Sequence, residues 1–126
     1  MPLVTLTVRK PKTAAFKHAV LDAIHAALVA TGVPVTDQFQ RVQELAEEDF
    51  RYDPRYPDLQ SDRNADFCLI EIVWSLGRSV KVKKAFLEDL MARLSAQGLN
   101  PENVMVVFKE TTWENWSFGG GRLIHT

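Results

Sequence analysis

The chain has 126 residues, 46% hydrophobic and 25% charged, which suits one globular domain, residues 1–126, with a single packed core. Its 15 basic and 16 acidic residues nearly cancel, which excludes the strong positive field that binds nucleic acid or an anionic membrane surface. No leader or bilayer-spanning apolar stretch is evident, and the one cysteine, Cys68, lies in an apolar run typical of a buried thiol. We therefore expect a cytoplasmic protein with no internal disulfide.

Three elements are predicted in the first part of the chain. Residues 3–8 alternate apolar and polar side chains, which predicts a strand with one buried face. A helix is expected to begin after an N-cap at Thr13 and to end at Gly32, because apolar residues recur at helical spacing between them. A second strand is predicted over residues 39–44.

The second part of the chain repeats this order. An apolar strand is predicted over residues 67–74, followed by a helix capped by Ser79 that stops at Gly98, and then a strand over residues 104–108. The same sequence of elements therefore occurs twice.

A shift of 66 residues superposes similar side chains of the two halves. The pairs are Leu3 with Leu69, Leu6 with Ile72, Thr13 with Ser79, Lys17 with Lys83, Leu28 with Leu94, Gly32 with Gly98, and Glu44 with Glu110. Each half, approximately residues 2–44 and 68–110, is then a right-handed β-α-β unit too small to bury its own sheet face. The predicted fold class is α+β (α/β): a four-stranded sheet from duplicated β-α-β units, with two helices on one face.

The sheet face without helices is expected to need a cover. Val42, Ile70 and residues 104–108 supply apolar side chains to both faces of the predicted sheet. We therefore predict a homo-oligomer.

Two segments lie outside the repeat. Residues 45–65 are polar and rich in Asp, Arg and Tyr, and a connection of this length predicts a lid or an interface arm. The tail, residues 113–126, combines aromatic residues with three consecutive glycines, which predicts a short strand or hairpin with an aromatic anchor.

Several segments, together with the duplication, carry a family resemblance. They are Pro2-Leu3, residues 33–40, Gly77-Arg78-Ser79, Lys84-Ala85-Phe86 and Trp116-Ser117-Phe118-Gly119. The chain resembles the tautomerase superfamily, with its 4-oxalocrotonate tautomerase-like fold, and is most similar to the malonate semialdehyde decarboxylase-like group. This resemblance implies a cofactor-independent enzyme that forms a trimer, with one pocket around each terminal proline and walls drawn partly from a neighbouring subunit.

Pro2 is the expected catalytic residue. Once Met1 is removed, its nitrogen is a secondary amine, whereas an internal proline nitrogen is an unreactive amide. Burial beside a cation disfavours the charged form of an amine, so a lowered pKa would make Pro2 a general base and a high pKa would make it a general acid. The resemblance implies both uses within the family. The alternative is that Pro2 merely follows the initiator methionine.

Asp37 and Arg78 are the charged candidates. Position alone favours a turn residue at Asp37, whereas the decarboxylase-like group carries an aspartate there, which implies a catalytic role. Arg78 precedes the second helix, where a planar guanidinium suits a substrate carboxylate. The alternative interpretation is that Arg78 is a solvated surface arginine.

The remaining candidates shape the pocket. Leu76 stands where the decarboxylase pattern carries a second arginine, which argues against decarboxylation. Trp116 and Phe118 are expected to form a pocket wall or subunit interface that contacts substrate. Arg41 on the second strand is a further candidate cation, although half of the positions on such a strand face solvent.

No metal site is predicted, because the three histidines, His18, His25 and His125, show no metal-ligand spacing. The first hypothesis is a keto-enol tautomerase (isomerase) acting on a small 2-oxo or enol carboxylic acid. A decarboxylase or hydratase of a 3-oxo acid such as malonate semialdehyde, and a non-catalytic trimeric binding protein of the same fold, are the alternatives.

Overall fold

The computed structural model describes residues 2–124; Met1, His125 and Thr126 lie outside the described residues. Its helices and strands are β1 (Leu3–Arg9), α1 (Ala14–Ala30), β2 (Gln40–Leu45), β3 (Cys68–Ser75), α2 (Val80–Ala96) and β4 (Val104–Thr111). All six predicted elements are confirmed. The largest boundary difference is at β4, which continues three residues further because it stays paired with β3 as far as Ser75 and Thr111.

The four strands form one mixed sheet in the order β2-β1-β3-β4. β1 runs parallel to β2, and β3 runs parallel to β4, as each β-α-β unit requires. The two units join through β1 and β3, which are antiparallel. As a consequence, β1 and β2 begin at the end of the sheet where β3 and β4 finish, and we call this the proline end.

The hydrophobic core lies between the sheet and the two helices. Alternate residues of the two central strands are fully buried there, namely Val4, Leu6 and Val8 of β1 and Ile70, Ile72 and Trp74 of β3. The helices close this layer with Val20, Ile24, Ala27 and Leu28 of α1 and Phe86, Leu90 and Leu94 of α2. No helix within residues 2–124 is long and apolar enough to cross a membrane.

The duplication is visible in equivalent polar contacts. The N-cap hydroxyl of Thr13 accepts from Phe16 N at 3.0 Å, and that of Ser79 accepts from Val82 N at 3.2 Å. Each helix also carries a lysine that pairs with a glutamate on the following strand. These equivalent ion pairs are Lys17 with Glu44 and Lys83 with Glu110. The repeat therefore conserves contacts between elements as well as the elements themselves.

Residues 46–66, which we call the arm, pack at the end of the sheet opposite Pro2. The rings of Phe50 and Tyr52 lie 5.6 Å and 4.4 Å from the ring of Phe67. Arg9, the last residue of β1, donates from Nε to the Phe50 carbonyl at 3.0 Å. The arm therefore does not cover Pro2 of its own chain, so the predicted lid is wrong for the single chain, and the interface arm stays a prediction.

The face of the sheet without helices receives apolar side chains, but not from every residue that the sequence assigned to the two faces. Ile70 is fully buried on the helix side and Val42 packs against the same core. The other face receives Met105, which is 45% exposed, and the half-buried Val107. β4 thus supplies apolar residues to both faces as predicted, whereas Val42 and Ile70 both face the helices.

Over residues 113–124 of the tail, the predicted strand or hairpin is absent. Within the described part of the tail, a 3-10 helix spans Trp113–Asn115 and a turn follows at residues 119–121. A strand needs a hydrogen-bonded partner, and two strands alone are marginally stable in water. In the single chain the tail runs across the proline end instead of alongside an edge strand.

Gly32 provides a stability test of the first helix end. Its φ of +111° favours glycine, and a Cβ there would meet no atom within 4 Å, so Gly32→Ala introduces backbone strain without a clash. We expect a loss of about 1 kcal/mol in the free energy of unfolding, measured by urea denaturation. Gly119→Ala is the control, because a Cβ at Gly119 would also meet no atom within 4 Å and the φ of Gly119 is not in the left-handed region. An equal loss in the free energy of unfolding for Gly119→Ala would contradict the explanation.

Cys68 provides a test of the core. The side chain is fully buried, and desolvation, aided by the Asp66 carboxylate, raises the pKa of its thiol to about 12. We expect no reaction with Ellman's reagent at pH 8 until the chain is unfolded, because the thiolate is the reactive form. Val35→Cys, at a position 67% exposed, is expected to add one fast-reacting thiol. Rapid labelling of native wild-type protein would contradict the assignment.

Candidate functional site

Pro2 is buried at the start of an interior strand. Leu3 lies opposite Val73 in the antiparallel register, so Pro2 lies beside Trp74, one residue further along β3. On its other side, Val4 N donates to the Phe39 carbonyl at 2.9 Å, which brings the segment before β2 against the same end of β1. Trp74 of β3 and the segment before β2 thus lie on either side of the end of β1 that carries Pro2.

Arg78 reaches the proline end from the turn between β3 and α2. Gly77, with a φ of +112°, allows the chain to leave β3 sharply before the N-cap Ser79. Arg78 Nη1 donates to the Ser75 carbonyl at 2.9 Å. Its guanidinium carbon lies 4.8 Å from the ring centroid of Trp74, the residue beside Pro2. The cation is therefore held against the wall next to the Pro2 position.

Trp113 also contacts this guanidinium. The distance from the guanidinium carbon of Arg78 to the Trp113 ring centroid is 5.6 Å, within the range of a cation–π interaction. Two indole rings from different parts of the chain therefore contact one guanidinium.

The charges of Arg78 and Asp37 interact with each other. Desolvation lowers the pKa of Arg78, and the carboxylates of Asp37 and Glu110 oppose this shift. An arginine remains charged at neutral pH even so. Asp37 is half-buried in the turn before β2, where its backbone N donates to the Pro34 carbonyl at 3.0 Å. The structure thus places Asp37 at the proline end with Arg78, and the turn geometry that the sequence allowed is also present.

An aromatic wall closes the β2 side of this end. The rings of Trp116 and Phe118 stack at 5.6 Å with an interplanar angle of 5°. Phe118 in turn lies 5.8 Å from Phe39, which precedes β2. Because the tail leaves β4 at one edge of the sheet and reaches Phe39 at the other, it must cross the ends of β3 and β1. Trp116 and Phe118 therefore lie at the same end of the sheet as Pro2.

Leu76 lies in the turn that carries Arg78. Its backbone N donates to the Thr111 carbonyl at 2.9 Å, so the β3–β4 pairing continues into the turn. Its side chain is 43% exposed and places an apolar surface at the proline end. Six of the seven candidate residues, all except Arg41, thus share one end of the sheet.

Three buried polar atoms at this end have no hydrogen-bond partner within residues 2–124. They are Nε1 of Trp74, Oγ of Ser75 and Nε1 of Trp116. Buried polar atoms are normally satisfied, so these three atoms lack the partner that such groups usually have.

Sequence reasoning missed Trp74, Trp113 and Phe39. The sequence pattern places Trp74 only on a strand. The contact of Trp113 with Arg78 joins residues 35 positions apart, so no local pattern indicates it. The aromatic character of the tail was the available signal for Trp113. Arg41, by contrast, lies on the face without helices, where its Nε donates to Thr5 Oγ1 at 2.8 Å.

A large cavity lies elsewhere, between the arm and the face of the sheet without helices. Its volume is about 780 Å³, and its apolar walls include Phe50, Tyr52, Phe67, Met105 and Val107. Two of its basic residues have partners: Lys109 pairs with Glu71, and Arg63 donates to the Asp53 carbonyl. Pro2 and Arg78 do not line it, so we assign the candidate site to the proline end.

Metal-ligating side chains do not cluster within residues 2–124, where no group of three or more His, Cys, Asp or Glu residues could hold an ion. His25 Nε2 lies 2.8 Å from the Val35 carbonyl, consistent with a packed surface histidine. His125 lies outside the described residues.

Known proteins resemble this chain over nearly its whole length. A family model described as "Tautomerase enzyme" matches residues 37–119. The probable tautomerase YusQ of Bacillus subtilis (strain 168) is 28% identical over 124 residues, which cover 97% of this chain and 96% of that protein. A crystal structure of malonate semialdehyde decarboxylase, described as having decarboxylase and hydratase activities, is 29% identical with a TM-score of 0.88, covering 96% of this chain and 93% of that one.

A more distant structure shares the fold alone. Native fused 4-OT is 16% identical with a TM-score of 0.75, and the match covers 96% of this chain and 95% of that one. The duplicated β-α-β sheet with two helices on one face is therefore the fold that the sequence predicted.

Proposed function

Since this chain belongs to the tautomerase family, we propose that it is a cofactor-independent tautomerase of a small 2-oxo or enol carboxylic acid, with the Pro2 amine as the proton carrier. The observation that carries the proposal is the position of Arg78. A guanidinium contacts Trp74, the neighbour of Pro2, so a carboxylate bound there would bring its adjacent carbons towards Pro2. A probable tautomerase of similar length supports the reaction class.

The proton transfer needs one group that accepts and then returns a proton. In the ketonisation of an enol acid, the free amine of Pro2 takes the enol hydroxyl proton, and the ammonium so formed gives a proton to the neighbouring carbon. Electrons of the O–H bond become the carbonyl π bond, while the carbon–carbon π pair forms the new C–H bond. The amine ends as it began, so no cofactor is consumed.

The amine exists only if Met1 is removed, because the nitrogen of an internal proline is an amide. A penultimate proline normally permits this removal. The pKa of the amine would then be set by two effects at the proline end. Burial of Pro2 and the positive charge of Arg78 both disfavour the protonated amine, which favours the base.

The remaining candidate residues would bind and orient the substrate. The planar donors of Arg78 suit its carboxylate. Asp37, which acts electrostatically on Arg78, would help to move a proton or position water. Leu76, Trp116 and Phe118 would set the size and apolar character of the pocket.

A second candidate is decarboxylation or hydration of a 3-oxo acid such as malonate semialdehyde. It is favoured by the match to malonate semialdehyde decarboxylase at a TM-score of 0.88 and 29% identity. In that reaction a protonated Pro2 would polarise the substrate carbonyl, and Asp37 would position water. Leu76 disfavours it, because the decarboxylase pattern that this chain resembles has a second arginine there.

The first test removes the proline amine. The intact mass of the purified protein shows whether the chain starts at Pro2. We then expect Pro2→Ala to lower kcat/KM for ketonisation of phenylenolpyruvate or 2-hydroxymuconate by about 100-fold, the usual contribution of a positioned acid or base. Pro54→Ala, an exposed internal proline in the arm, is the matched control. Equal rates for wild type and Pro2→Ala, in protein that begins at Pro2, would refute the proline mechanism.

The pH profile of the same reaction separates the two candidates. If the free amine acts, kcat/KM is expected to rise with pH through the pKa of Pro2, because the amine is then deprotonated. Release of carbon dioxide from malonate semialdehyde, falling as pH rises through that pKa, would instead favour the decarboxylase.

We also propose that the protein assembles as a homo-oligomer, most simply a trimer. One fused 4-OT structure is described as a symmetric trimer, and it shares this fold with a TM-score of 0.70. In this chain, Met105 and Val107 present an apolar surface on the face without helices. A second copy would bury that surface and the cavity beside the arm.

Light scattering tests the assembly. A trimer of the 14.3 kDa chain has a mass of about 43 kDa (three times 14.3). Val107→Asp is expected to dissociate it, because a charge would be buried at the interface. Val80→Asp, at an exposed position in the first turn of α2, is the control and should keep the mass. A wild-type mass of 14.3 kDa would contradict the proposal.

A further inference from the structure

Trp113 contacts the guanidinium proposed to bind substrate. We propose that Trp113 is a positioning residue that holds Arg78 in the orientation that receives a substrate carboxylate, an inference that rests on the proposed role of Arg78. The ring of Trp113 lies 5.6 Å from the guanidinium carbon, and the ring of Trp74 lies 4.8 Å from it. Trp113 comes from the tail after β4, whereas Trp74 belongs to the core side of β3.

The orientation of Arg78 needs more than its own hydrogen bond. Nη1 is directed to the Ser75 carbonyl, which restrains one corner of the guanidinium. An arginine side chain loses considerable rotamer freedom when it is ordered, and a single hydrogen bond leaves the group free to swing. The two rings restrain the guanidinium through its carbon, which lies over both, without occupying the N–H donors that bind an anion.

Trp113 is itself fixed relative to Arg78. The turn that carries Arg78 is joined to β4 by the hydrogen bond from Leu76 N to the Thr111 carbonyl at 2.9 Å. The 3-10 helix that begins at Trp113 is joined to the same residue, because Asn115 Nδ2 donates to Thr111 Oγ1 at 2.7 Å. Thr111 therefore connects the segment that carries the cation with the segment that carries the ring.

Trp74 and Trp113 differ in how much they contribute to the hydrophobic core. Trp74 is 1% exposed and stacks with Phe108, so its substitution would disturb folding. Trp113 is 37% exposed. The rings also remove water from the guanidinium, in agreement with the lowering of the Arg78 pKa by desolvation, and a less hydrated cation binds an anion more strongly.

Binding of benzoate, measured by calorimetry on the full chain, tests this role without requiring turnover. We expect Trp113→Leu, which keeps apolar volume but loses the aromatic face, to weaken benzoate binding about fivefold to tenfold. Trp113→Phe restores the ring and is expected to bind within about twofold of wild type. Benzamide, which lacks the negative charge, is expected to bind all three proteins alike.

A double-mutant cycle isolates the contact. If Trp113 acts through Arg78, Trp113→Leu has no further effect on benzoate binding in an Arg78→Met background. In steady-state ketonisation by Trp113→Leu, we expect KM to rise while kcat stays nearly unchanged. A general structural defect would lower kcat and the melting temperature as well. Wild-type benzoate affinity in Trp113→Leu, or an undiminished effect of that change in Arg78→Met, would overturn the inference.

The outcome is separable from that of the proposed function. If Pro2→Ala retains full ketonisation but the benzoate cycle behaves as expected, the proline mechanism is refuted while the positioning role stands. If Arg78→Met alone binds benzoate like wild type, the positioning role is overturned whatever Pro2 does.

Discussion

The antiparallel pairing of β1 with β3 determines where every candidate residue lies. Each β-α-β half is parallel within itself, so only this pairing sets the direction of one half against the other. Because β1 and β3 run in opposite directions, Pro2 at the start of β1 lies beside Trp74 at the end of β3. A parallel pairing would instead separate the Pro2 position from Arg78 by the length of a strand of eight residues, about 25 Å.

The duplicated fold does not produce two equivalent sites. Under the 66-residue shift, Lys12 corresponds to Arg78, and both donate to the carbonyl of the preceding strand's last residue: Lys12 to Arg9 at 3.0 Å, and Arg78 to Ser75 at 2.9 Å. Pro2, however, corresponds to Cys68, whose backbone nitrogen is necessarily an amide. Lys12 also donates to the Ala65 carbonyl at 2.9 Å, so it ties the arm to the first half. The two halves thus share one framework, but only Pro2 lies where its nitrogen can become a terminal amine.

The tail shows that a local sequence pattern does not determine how a segment packs. Its aromatic residues were expected to anchor a hairpin, yet within the described residues they form a 3-10 helix and a wall across the proline end. Strand propensity has no effect without a partner strand, and β4 is an edge strand along which the tail does not run. The contacts of Arg78 with Trp74 and Trp113 were likewise invisible in the sequence, since nothing local relates a tail residue to a turn 35 positions earlier.

The sequence by itself determined the six elements, because periodicity, the N-caps Thr13 and Ser79, and Gly32 and Gly98 are local signals. It also determined the pairing of two similar halves, because the shift of 66 residues matches both apolar and charged positions. The structure joins four of these charged residues as the ion pairs Lys17–Glu44 and Lys83–Glu110. Only the tertiary structure decided that the tail crosses the sheet, that the arm lies away from Pro2, and that two tryptophans contact Arg78. These features depend on contacts between distant segments, whose geometry follows from the packed sheet and not from any one segment.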